Sequence, residues 1–114
     1  MILGGVTRAY VCAQPIDMRK SIDSLSVLVV EVLRADPLSG HVFVFVSRQR
    51  NRVKLLVWDR HGFWLLYKRL ERGRFPDPQS LSQGLSMAEL MAWLEGIDLS
   101  SARRLPTVSV TRVM

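Results

Sequence analysis

Between residues 41 and 75 the chain sets three extended apolar runs, Val42–Val46, Val53–Trp58 and Phe63–Leu70, between two short polar breaks. Runs of this length, rich in β-branched and aromatic side chains, predict an antiparallel meander. Each run is apolar on both of its faces, so both sides of the sheet are expected to be covered and most of its aromatics to be core. Asn51 in the first break, Ser47–Arg52, suits a left-handed conformation. The second break, Asp59-Arg60-His61-Gly62, has the Asp-first, Gly-last preference of a type I turn.

Upstream, Arg8–Ala13 reads as a short strand stopped by Gln14-Pro15. Apolar residues at 22, 25, 28, 29, 32 and 33 then recur at helical intervals. Asp17 or Ser21 is the N-cap of that helix, and Pro37 ends it. Its β-branched residues (Val27, Val29, Val30, Val32) weaken intrinsic helicity, so packing on the sheet must stabilise it. Downstream, Ser86-Met87-Ala88-Glu89 is a capping box opening a second helix with Leu90, Met91 and Leu94 as its apolar face and Gly96 as its stop. The expected fold is α+β, an antiparallel β-meander of three to five strands packed with one long and one short α-helix. Residues 1–99 are expected to form a single domain and residues 100–114 a mobile C-terminal tail, with Thr107–Val113 as an alternative edge strand.

Charge changes the picture. The chain has 114 residues and a net charge of +6. Residues 41–75 hold nine basic side chains against Asp59 and Glu71, a net of +7, together with seven of the nine aromatics. A field of this sign attracts nucleic acid, an acidic protein or an anionic membrane. No window reaches about 18 uncharged apolar residues, so no membrane span is expected. MILGGV lacks the pattern of a signal peptide, which leaves a cytoplasmic protein as the expectation. Cys12 is the lone cysteine, too few for an internal disulfide or a cysteine zinc site, and its apolar neighbours mark it as core.

The tip Arg48, Arg50 and Arg52, with Lys54, can lie along a phosphate backbone or enter a groove as a two-stranded ribbon. Arg60, Lys68, Arg69, Arg72 and Arg74 extend this candidate nucleic-acid-binding set. Arg19 and Lys20 could hold a phosphate beside the first helix, although structural capping by Asp17 accounts for the same residues. Stacking of single-stranded bases would require Phe43, Trp58 or Trp64 to be open to solvent. His41 and His61 are tied by no motif to a serine, cysteine or carboxylate, and the acids occupy cap and turn positions. No glycine-rich phosphate loop or metal-ligand spacing occurs. The sequence therefore predicts no enzyme, catalytic residue, metal or cofactor.

Several ordered blocks carry a family resemblance: Asp17-Met18-Arg19-Lys20, then DPLSGHVFVF from Asp36, RVKLLVWDRHGF from Arg52, YKRLERGRF from Tyr67 and LEGID from Leu94. Together, over residues 7–99, they resemble the TnpB-type accessory protein, the second open reading frame, of insertion sequences of the insertion sequence sixty-six family. Ser21-Ile22-Asp23-Ser24-Leu25 stands where Gly-Phe-Asp-Gly-Leu is usual in that family. The resemblance implies a non-catalytic protein that supports DNA transposition beside a larger, catalytic transposase. The expected partners are the DNA of the element ends, the cognate transposase and other element-encoded proteins, with a homo-oligomer as a further option. The alternative is a protein-interaction module that binds the transposase without contacting DNA.

Overall fold

The structure, a computed structural model, describes residues 7–81 and 84–99. Five strands, β1 (Arg8–Val11), β2 (Val42–Val46), β3 (Arg52–Asp59), β4 (Gly62–Arg69) and β5 (Leu85–Ser86), form one sheet ordered β4-β3-β2-β1-β5. Two helices, α1 (Ile22–Glu31) and α2 (Met87–Leu94), complete an α+β fold. β2, β3 and β4 are the expected meander, from Val42 opposite Val57 and from Asp59 opposite Gly62. One junction differs from the antiparallel expectation: β1 runs parallel to β2, because α1 carries the chain between them as a crossover.

Alternation along the strands sorts the core into two clusters. Phe43, Phe45 and Leu56 pack with Leu25 and Val29 of α1, and with Cys12 and Ile16. On the opposite face Val42, Val44, Val46, Val53 and Val57 pack with Leu90 and Trp93 of α2, and with Phe75. The two helices thus cover opposite faces, and all five residues of β2 are buried. Cys12 is a core residue as expected, and burial pushes its thiol pKa up.

Local geometry corrects several expectations. Ser21, not Asp17, caps α1, in a reciprocal box with Ser24. The helix ends at Glu31, well before Pro37. Its end is closed by the Leu33 N–H donating to Leu28 O (3.2 Å) and the Ala35 N–H to Val29 O (3.0 Å), with Arg34 at φ +54°. Arg50, not Asn51, takes the left-handed position of the first hairpin, at φ +59°. Arg60 also has φ +59°, which excludes a type I turn: a two-residue hairpin favours left-handed geometry because its twist matches the strands. The α2 capping box is present, with the Glu89 N–H donating to Ser86 Oγ (3.1 Å) and the Ser86 N–H to Glu89 Oε1 (2.9 Å). Gly96, at φ +95°, follows the helix as its expected stop. Trp93 replaces Met91 on the buried face of α2; Met91 is 57% exposed. Residues 100–114, including the expected tail and the alternative strand Thr107–Val113, lie outside the described residues.

Trp93 is fully buried, stacks on Phe75 with centroids 5.0 Å apart and donates from Nε1 to Pro76 O (3.2 Å). Trp93→Ala is therefore expected to destabilise the fold by about 3–5 kcal/mol, measured by urea denaturation.

Candidate nucleic-acid interface

The β2–β3 turn is built on Ser47, which is buried although polar. Its carbonyl accepts the Arg50 N–H (2.9 Å), its N–H donates to Arg52 O (3.0 Å), and its Oγ accepts the Arg52 N–H (3.1 Å) and donates to Asn51 Oδ1 (3.3 Å). These bonds leave the Arg50 and Asn51 carbonyls pointing away from the turn. The Phe75 N–H takes the first (2.7 Å) and the Leu70 N–H the second (2.7 Å). The segment after β4 is thus tied to the tip, with Phe75 anchored in the core.

One corner of the sheet consequently gathers Arg48, Arg50, Arg52, Arg69, Arg72 and Arg74. Arg52 and Arg69 are direct ladder partners. Like charges opposite one another cost stability, offset here by Glu71, whose Oε2 accepts from Arg69 Nε at 3.0 Å. Two concavities flank the tip. One of about 680 Å³ is lined by Arg48, Gln49, Arg52, Tyr67 and the Pro15–Arg19 turn. The other, about 220 Å³, lies between Arg48, Arg50 and residues 77–79.

Arg19 closes the larger cleft from the opposite wall. Its guanidinium grips Asp17, with Nη2 2.7 Å from Oδ2 and Nε 3.1 Å from Oδ1. Those hydrogen bonds hold the Asp17 carboxyl down at about 2. Lys20 is half-buried; its backbone carbonyl is used within the fold.

Lys54 does not offer the free charge expected of it. The residue is buried, and its Nζ donates to Met18 O and Lys20 O, both at 2.7 Å. The ammonium also lies 5.0 Å from the Tyr67 ring centroid. It fastens the Asp17–Lys20 turn to the sheet and shapes the cleft. Lys68 is exposed on the opposite face of β4 from Arg69. Arg60 lies in the β3–β4 turn, about eight residues or roughly 25 Å along the strands from the arginine corner.

Of the three aromatics on which a stacking surface depended, Phe43 is fully buried, Trp58 is half-buried against Phe63, and Trp64 is 50% exposed. Trp64 Nε1 donates to Asp59 Oδ2 (3.0 Å), at the end of β4 away from the corner. The aromatic beside the arginines is Tyr67 instead, 53% exposed on the cleft wall. Its place there follows from its pairing with Lys54, a register the sequence does not print.

The fold and corner define a small mixed-sheet α+β domain with a braced, strongly basic edge, and no cluster of metal-ligating side chains among the described residues. The chain belongs to the family described as IS66 Orf2 like protein, whose pattern matches residues 7–104. Membership points to an accessory role in transposition. Two relatives from Sinorhizobium fredii (strain NBRC 101917 / NGR234) are similar to it. The uncharacterized protein y4jC is 34% identical over 93% of this chain and 92% of its own. The uncharacterized protein y4hO is 38% identical over 83% of this chain and 84% of its own. No solved structure matches the chain. No helix among the described residues is long and apolar enough to cross a membrane.

Lys54→Met should lower stability by about 1–3 kcal/mol, because two carbonyls lose their donor, while leaving the salt dependence of any polyanion binding unchanged. Urea denaturation and a salt titration read the two effects separately. The depressed Asp17 pKa means that its pairing contributes fully above the unfolded value near 3.9 and is lost as pH falls through about 2. In Arg19→Ala the carboxyl should titrate higher, toward the ordinary aspartate range, as followed by side-chain carbon NMR.

Proposed function

We propose that this protein is a non-catalytic accessory subunit of insertion-sequence transposition that binds the DNA of the element ends through its arginine corner and assists the transposase there. Arg48, Arg50, Arg52, Arg72 and Arg74 contact phosphates, with Arg19 and Arg69 at the margin, where each shares its charge with a neighbouring acid. The observation that carries this reading is the bracing of the Arg48–Arg52 tip against residues 70–75 by the carbonyls of Arg50 and Asn51. Bracing fixes the backbone from which the cations extend before DNA arrives, which reduces the ordering cost of binding. Family membership supplies the transposition context, and the cleft beside Tyr67 has room for backbone and sugar.

Binding of this kind is salt-dependent, with a log–log slope of about 0.9 per phosphate contacted on duplex DNA. Replacing Arg48, Arg50 and Arg52 together by alanine should reduce affinity for an element-end duplex at least about tenfold and lower the slope by roughly 2 to 3. Fluorescence anisotropy across a salt series measures both. Unchanged affinity and slope would remove the corner from the reading. Absence of binding by the intact protein at low salt would favour the alternative, a module that engages the transposase without touching DNA.

A further inference from the structure

β4 is an edge of the sheet: it pairs with β3 on one side and with no strand among the described residues on the other. An open edge of eight residues is a template for another strand unless something covers it. Its side chains are sorted along its length, with Phe63 and Trp64 in the first half and Lys68 and Arg69 in the second. Leu66 lies between them, 37% exposed.

That order is self-complementary. Residues directly opposite each other in an antiparallel pair share a face. Two β4 strands paired about a two-fold axis at Leu66 set Trp64 opposite Lys68 of the second copy, and Phe63 opposite Arg69 of the second copy. Both pairs place a cation against an aromatic ring. The Trp64 partner is also beside a carboxylate, since its Nε1 donates to Asp59 Oδ2.

The face containing Leu66 adds apolar area at the same axis. Leu66, Leu55 and Val57 of the sheet and Met87, Met91 and Leu94 of α2 line a groove of about 260 Å³. The two-fold joins this groove to the same groove of the second copy and covers Leu66 and Met91, and methionine adapts readily to such a contact.

We propose that β4 is the contact through which two copies of this chain form a dimer with one continuous ten-stranded sheet. The same register brings the Arg60 turn of one copy toward the Arg69–Arg74 end of the other. With a net charge of +6 per chain, the dimer tightens as salt screens that repulsion.

The test uses the full chain. Sedimentation velocity at about 0.3 M salt, where charge is largely screened, should give a dimer. Leu66→Lys should raise its dissociation constant at least about tenfold by placing two cations at the axis, with the thermal unfolding midpoint confirming that the variant is folded. Leu66→Cys should link to its own mate under mild oxidation, because opposed Cα atoms stand about 4.5–5.5 Å apart, within disulfide reach. Gly62→Cys has open space around it and should not link, since its mate lies roughly 27 Å away. Buried Cys12 does not compete. A monomer at every concentration overturns the proposal, as does a dimer in which Leu66→Cys stays reduced. A monomer that dimerises only after removal of residues 100–114 overturns it too, and assigns the edge to the chain's own C-terminal segment.

Discussion

Burial of β2 on both faces is the constraint on which the rest of the molecule depends. Five consecutive apolar residues, Val42 to Val46, lose almost all their solvent exposure. A strand can do that only with a layer above and a layer below it. α1 supplies one layer through Leu25 and Val29; α2 supplies the other through Leu90 and Trp93. Placing α1 between β1 and β2 makes their pairing parallel, and returning the chain for α2 leaves β5 beside β1. The outer strand is covered only in part: Phe63 and Leu65 reach the cluster under α1, and the other residues of β4 are exposed.

The same packing decides what the basic residues can do. Lys54 and Arg52 are two residues apart and share a face, yet Lys54 is under the Asp17–Lys20 turn and Arg52 is open. A buried ammonium requires compensation, which two carbonyls and the Tyr67 ring provide. Composition places both residues in one basic cluster, whereas geometry makes one structural and leaves the other available to a ligand.

Legibility from sequence followed the physics of each element. The three central strands were readable because alternation and turn residues coincide, and α2 because Ser86 and Glu89 state a cap directly. The end of α1 was not, because a proline marks where a helix cannot continue, not where it stops. Residue preference points to Asn51 and a type I turn, whereas hairpin twist puts the left-handed residues at Arg50 and Arg60. A helix face through Leu90, Met91 and Leu94 leaves Trp93 outside the core, and the stacking of Phe75 on Trp93 shows which way α2 is rotated. The gathering of Arg72 and Arg74 with the hairpin tip depends on two backbone bonds between segments about 20 to 25 residues apart, which no local pattern announces.

Charge and rigidity coincide at the β2–β3 tip. The hairpin end carries Arg48, Arg50 and Arg52, with Asp17 and Asp77 lining the concavities beside it and Glu71 paired to Arg69. The net charge of +6 draws the molecule toward a polyanion. Scattered surface arginines on mobile loops would give attraction without orientation. Here the tip is held by Ser47 on one side and by the Leu70 and Phe75 amides on the other. An arginine side chain still pivots, but its backbone origin does not. That fixed origin distinguishes the tip from arginines carried on a loop without such backbone ties.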